Sequence, residues 1–133
     1  MAFLVFLLSF ISFSKAYALD NIEIISIEPV NYTGGNYDTE LGLEKLCLAW
    51  HLNKQQIKQI FHLSEAYVNT GLPNGFLILP CSIDGKLKVK NKIFNFRINA
   101  GSTAIILDNK NISYGCKVTE CKSLFIEPYS ESE

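Results

Sequence analysis

The chain has 133 residues, with twelve Lys and Arg against thirteen Asp and Glu, a formal net charge of −1. So even a balance argues against a nucleic-acid partner, which calls for a basic surface. The length suits one core and no second large domain.

The first element is a leader. Ala2 to Phe13 is apolar almost without break and Lys15 ends the run. It is too short for a membrane-spanning helix, which needs about 20 apolar residues, and fits the apolar region of a secretory signal. Ala16-Tyr17-Ala18 supplies the small residues of a cleavage site, so cleavage is expected between Ala18 and Leu19. No Lys or Arg precedes the run, which is atypical, and no cysteine follows near the cut, so a lipid anchor is not expected. Residues 1–18 are therefore expected to be a signal peptide. Residues 19–133 then form a single exported domain of formal charge −2, in the periplasm or secreted, with no stable membrane insertion after cleavage.

Ile22 to Ile27 is rich in β-branched residues and predicts a first strand, stopped by Pro29. Asn31 to Asp38 has the composition of a loop. Leu41 to Trp50 is ambiguous, with strand-like alternation of Leu46, Leu48 and Trp50 but helix-like Glu and Lys content. Asn53 with Gln56 reads as a capping box, and Ile57, Ile60, Phe61, Ser64 and Val68 share one stripe, predicting a helix over Lys54–Val68. Pro73-Asn74-Gly75 is a turn.

From Phe76 the period becomes two. Cys81, Ile83, Leu87 and Val89 take one parity, and Lys86, Lys88 and Lys90 the other. Lys90-Asn91-Lys92 turns into a strand with Phe94, Phe96 and Ile98 on one face and Asn95, Arg97 and Asn99 on the other. After a break at Gly101-Ser102, Thr103–Leu107 predicts a strand, Asp108 to Asn111 a turn, and Ile112–Cys116 the return. Ser123–Ile126 is a candidate last strand. The fold class expected is α+β, one main amphipathic helix on an antiparallel β meander stapled by disulfides.

Cys47, Cys81, Cys116 and Cys121 all follow the leader. In an exported small domain an even count reads as disulfides. Of the three pairings, we favour Cys116 with Cys121, which closes a short loop, and Cys47 with Cys81, which ties the chain across its helix. Zinc is the rival reading, but only one cysteine pair is close, and His51 and His62 do not share a helical face. Redox chemistry would need Cys-x-x-Cys, which is absent. No metal and no cofactor are expected.

Catalytic signatures are equally missing: no serine sits in a Gly-x-Ser-x-Gly elbow, Gly34-Gly35 does not open a phosphate loop, and the carboxylates are scattered. A non-enzyme is expected. In the run Lys86, Lys88, Lys90 and Lys92, the plain reading is that the first three are the solvent face of an amphipathic strand, where edge lysines also discourage aggregation. The sharper one is contact with an anionic ligand or partner. With Asn95, Arg97 and Asn99 on the neighbouring strand, Lys86, Lys88 and Lys90 make one polar face, the first choice for a partner-binding surface. Tyr32 and Tyr37, in a glycine-rich loop, are further candidate contacts. The sequons Asn31-Tyr32-Thr33 and Asn111-Ile112-Ser113 are read as chance, because the sequence has a bacterial style.

Cys47, the helix after Leu52-Asn53, Pro80-Cys81-x3-Gly85, Ile98-Asn99-Ala100-Gly101 and the Tyr114-Gly115-Cys116 to Cys121 pair carry a resemblance. Over about Cys47 to Cys121 the chain resembles small exported bacterial proteins of unassigned function, some of them periplasmic immunity proteins against secreted toxins. The motifs are structural, and no functional residue is carried over. The resemblance implies a periplasmic binding or immunity protein that neutralises a toxin or effector by occluding it. The alternatives are a small envelope enzyme or enzyme inhibitor acting on the cell wall, and an envelope assembly factor.

Overall fold

The computed structural model describes residue 19, residues 21–35 and residues 42–130, the side chain of residue 110 excepted. The expected leader and Tyr37 lie outside the described residues. Strands are β1 (Glu23–Ile27), β2 (Asn31–Tyr32), β3 (Glu65–Val68), β4 (Cys81–Val89), β5 (Lys92–Asn99), β6 (Thr103–Ile106) and β7 (Asn109–Gly115). Helices α1 (Leu43–Ala49) and α2 (Lys54–Leu63) precede β3, and a 3-10 helix covers Thr119–Leu124. The class is α+β with an antiparallel sheet, as expected. Among the described residues it holds more sheet than one helix on a meander: seven strands, in the order β1-β4-β5-β6-β7-β3, with β2 also on β4.

The meander β4 to β7 is the centre of this sheet. Its first hairpin turns at Lys90 and Asn91, both with positive φ (48° and 66°), between the paired Val89 and Lys92. That is the mirror-image turn whose twist suits a two-residue hairpin. β1 and β2 lie on the same side of β4, one against Gly85–Lys88 and the other against Cys81–Ser82. They act as one interrupted strand, broken where Pro29 has no amide to donate.

Pleating sends alternate residues to opposite faces. The row Ile83, Ile98, Ala104, Tyr114, Ala66 crosses the sheet on its inner side. Against this face packs α2, opened by the capping box foreseen in the sequence: Asn53 Oδ1 accepts from the Gln56 amide and Gln56 Oε1 from the Asn53 amide, both at 2.8 Å. Ile57, Ile60 and Phe61 are buried, and the Phe61 ring meets Phe96 and Tyr114 edge-on at 5.6 and 5.8 Å. Burying a side chain of this size contributes about 1.5–3 kcal/mol. The ambiguous stretch before it is helical. Cys47 of α1 is buried, Leu46 and Leu48 are exposed, and the buried Trp50 indole donates to the Leu124 carbonyl at 2.8 Å.

Five expectations need correction. Asn31 and Tyr32, expected in a loop, pair with Ser82 and Cys81 as β2. The helix expected over Lys54–Val68 stops at Leu63. Ser64 turns extended, its amide and hydroxyl both bonded to the Ile60 carbonyl, and Glu65–Val68 pairs with Gly115–Ile112 of β7. Tyr67 and Val68 suit a strand, and the β7 ladder offers more than another helical turn. The period-two segment becomes strand only at Cys81, because Pro80 has no amide for a ladder and Leu79 is claimed by the Asn99 side chain. The turn expected at Asp108–Asn111 falls earlier: Ile106 pairs with Asn109 and β7 begins there. Ser123–Ile126 is not a strand. The 3-10 helix occupies this region as the chain folds back from Cys116 to its disulfide partner Cys121.

Both favoured disulfides are present, Cys47–Cys81 and Cys116–Cys121, with all four cysteines buried. The first joins α1 to the start of β4 and the second closes the turn into the 3-10 helix. No helix among the described residues is long and apolar enough to cross a membrane.

Candidate functional site

The outer face of the sheet carries the residues that alternate with the core. One row is Ser82, Asn99, Thr103, Gly115, Glu65, and the next Asp84, Arg97, Ile105, Ser113, Tyr67. Then come Lys86 opposite Asn95 and Lys88 opposite Ile93. The polar face expected from the sequence is thus assembled on the β4–β5 hairpin, but its members differ in what they can offer.

Arg97 is already engaged. Its Nε and Nη2 donate to the two carboxylate oxygens of Asp84, each at 2.9 Å, and this pairing raises the guanidinium pKa. The two side chains are partly exposed, at 45 % and 26 %, so solvent screening limits the pair to a small stabilisation. Asn99 is engaged more completely. Its amide donates to the Leu79 carbonyl at 2.8 Å and accepts from the Leu79 and Gly101 amides at 2.9 Å each.

Lys86, Lys90 and Asn95 are exposed and Lys88 is half-buried. Lys86 and Lys88 stand on the outer row of β4, whereas Lys90 sits in the turn itself. Neither these lysines nor Lys92 has an ion-pair partner among the described residues. Ile93, opposite Lys88, is 59 % exposed. The outer face of the hairpin therefore presents Lys86 and Lys88 beside one aliphatic side chain, with Lys90 in the adjoining turn and Lys92 on the opposite face, paired with Val89. Tyr32 lies apart, on β2, with its hydroxyl toward the Gly35 carbonyl at 3.5 Å.

Sequence reasoning missed a second feature of this face. Residues 69–80, joining β3 to β4, cross the outer surface as an irregular strap. Phe76 lies over Gly115, in the space a Cβ would fill, and its ring meets Tyr67 edge-on and Tyr129 at a tilt, with centroids 6.1 and 4.7 Å away. The Leu77 carbonyl rests on Gly101, where likewise no side chain fits. Leu79 is bracketed by the Asn99 amide, and the Pro80 carbonyl accepts from the Thr33 amide at 2.7 Å. The Gly75 carbonyl accepts from the Ser130 amide at 3.2 Å. Between these anchors Leu77 and Ile78 point outward, 56 % and 69 % exposed. The sequence signal was an apolar run without alternation between Asn74-Gly75 and Pro80.

Near the strap, Glu65 accepts from the Tyr67 hydroxyl at 2.9 Å and pairs with Lys117 at 3.4 Å, while the Lys117 ammonium lies 5.7 Å from the Tyr129 ring centre. Burial, then the Glu65 contact, raises the Tyr67 pKa. On the opposite side of the molecule, an open groove of about 560 Å³ runs between Leu19, Asn21 and Ile22 and the Gln55, Lys58, Gln59 and His62 side of α2. Among the described residues no cluster of His, Cys, Asp and Glu is placed to hold a metal ion.

The chain matches no family model, no curated protein and no solved structure.

Proposed function

We propose that this is an exported, non-catalytic binding protein that neutralises an acidic protein partner, a toxin or envelope effector, by covering its working surface. The observation that carries this reading is the outer face of the β4–β5 hairpin, where Lys86 and Lys88 flank exposed Ile93 next to the turn lysine Lys90, without carboxylate partners among the described residues. The chain as a whole is slightly acidic, so this concentration of positive charge is local. An aliphatic anchor within a cationic rim suits a partner with an apolar spot and acidic surroundings, steered in by its field. The two disulfides support an extracytoplasmic destination, because such bonds persist in oxidising compartments. A periplasmic or secreted immunity role follows from these points taken together with the leader expected in the sequence.

The test is affinity capture of periplasmic partners by the mature protein and by Lys86→Glu/Lys88→Glu/Lys90→Glu, with rescue of cells expressing the captured partner. Wild type retains a partner at low salt, releases it as ionic strength rises, and protects the cells. The charge-reversed variant does neither. Capture and protection unchanged by the variant would refute the proposed surface.

A further inference from the structure

We infer that Asn74 is a self-modifying site: in the folded protein its side chain cyclises onto the Gly75 nitrogen, and the isoaspartyl product releases the strap from the C-terminal segment. This site stands apart from the basic face and does not rest on the partner-binding reading.

An asparagine loses its side-chain amide where the next backbone nitrogen can reach its own Cγ, and a following glycine hinders that approach least. Asn74-Gly75 is the only Asn-Gly pair in the chain. Freedom to turn is the other requirement. Asn74 is exposed, and among the described residues no hydrogen bond engages its side chain, its backbone or the Gly75 amide. Gly75 has a φ of 105°, which a side chain would strain, so the glycine belongs to the turn itself. With no bond to break, the rotation that brings the Gly75 nitrogen to Cγ needs only a local opening of low cost.

Asp84-Gly85 is the internal contrast. An aspartate before glycine can form the same ring, yet Gly85 is held inside β4 between Ile27 of β1 and Phe96 of β5, and both Asp84 oxygens accept from Arg97. Neither its backbone nor its side chain is free to turn.

At Asn74 the Gly75 nitrogen gives up its proton to water and attacks Cγ. The new N–Cγ bond closes a cyclic imide as the Cγ–Nδ2 bond breaks, and ammonia leaves with the proton. Water then opens the ring, and no atom changes oxidation state. Opening at Cγ gives aspartate. Opening at the main-chain carbonyl gives isoaspartate, whose backbone runs through Cβ and Cγ and is longer by a methylene.

The surroundings turn this chemical change into a structural one. The added length enters immediately before Gly75, where the packing has no slack. A Cβ on Gly75 would run into the Tyr129 ring and the Ser130 carbonyl, and the Gly75 carbonyl accepts from the Ser130 amide at 3.2 Å. Phe76, the next residue, packs on the same Tyr129 ring. The isoaspartyl form therefore gives up the Gly75–Ser130 bond, while Leu79, held separately by Asn99, stays in place.

The experiment incubates the full exported protein at mildly alkaline pH and follows it by peptide mapping with mass spectrometry and by labelling with a protein-isoaspartate methyltransferase. Asn74 should convert in the folded protein within about tenfold of its rate in the guanidinium-unfolded chain, as a loop that opens at almost no cost allows. Asp84 should isomerise only in the unfolded chain. Asn74→Gln, whose longer side chain closes the ring far more slowly, should abolish the labelling of the folded protein. In the isoaspartyl form, isolated by ion exchange, the Ser130 amide resonance should move to its unbonded position while that of Leu79 does not shift. No conversion at Asn74 in the time that converts the unfolded chain overturns the inference. Labelling that persists in Asn74→Gln, or an isoaspartyl form whose Ser130 amide stays bonded, overturns it as well.

Discussion

Asn99→Ala tests the strap's attachment most directly. The side chain makes three hydrogen bonds, two to Leu79 and one to the Gly101 amide, from a half-buried position. Each such bond contributes about 0.5–1.5 kcal/mol net, and water can replace part of that here, so alanine should cost about 2 kcal/mol. At this chain length the loss corresponds to a fall of about 8 °C in melting temperature. Urea titration gives the free energy, and amide exchange at Leu79 and Gly101 locates it. Asn99→Asp adds a sharper arm. A carboxylate still accepts from both amides but opposes the Leu79 carbonyl, so stability at neutral pH should resemble the alanine variant. It should recover as acidification restores a donor. A loss below about 0.5 kcal/mol, with both amides exchanging as in wild type, would refute the account of how the strap is held.

Three further outcomes are expected. Replacing Cys47 and Cys81 by alanine should cost about 4 kcal/mol, and replacing Cys116 and Cys121 about 2 kcal/mol, since the first bridge closes the longer loop; urea unfolding of both variants checks the order. Trp50→Phe should cost about 1–3 kcal/mol because it leaves the Leu124 carbonyl buried without its donor, as thermal melts would show. Burial raises the Tyr114 pKa above that of the unfolded chain, so its contribution is complete below pH 10 and is lost as the pH climbs through the folded-state value. Phenolate absorbance should therefore show Tyr114 ionising only at higher pH than an exposed tyrosine, and Tyr114→Phe should flatten the alkaline loss of stability.

What was legible in the sequence was mostly local. The Asn53–Gln56 capping box, the Lys90-Asn91 hairpin turn, the alternation in β4 and β5 and the α+β class follow from neighbours within a few residues. The polar face was legible too, because parity along β4 and β5 places Lys86, Lys88, Asn95 and Arg97 on one side. The content of that face was not. Asp84 claims Arg97 and Leu79 claims Asn99 through partners distant in sequence, so two of the expected contact residues serve the fold first. The overrun of α2 has the same origin. Glu65–Val68 continues a helical stripe in sequence, but β7 supplies a ladder that no local pattern announces. The strap escaped notice because its conformation is imposed from beneath, by the absence of side chains at Gly101 and Gly115.

The order of strands has a consequence for how the chain comes to be folded at all. Both outermost strands, β1 with β2 on one side and β3 on the other, end by Val68, while every strand they grip starts at Cys81 or later. The meander can assemble from near neighbours as soon as it is available, but the N-terminal segments close long loops before any pairing rewards them. The segments that emerge first thus wait for those that emerge last. An end-truncated chain that lacked β7 would leave β3 without its ladder partner, and the strap without the strand that fixes its start.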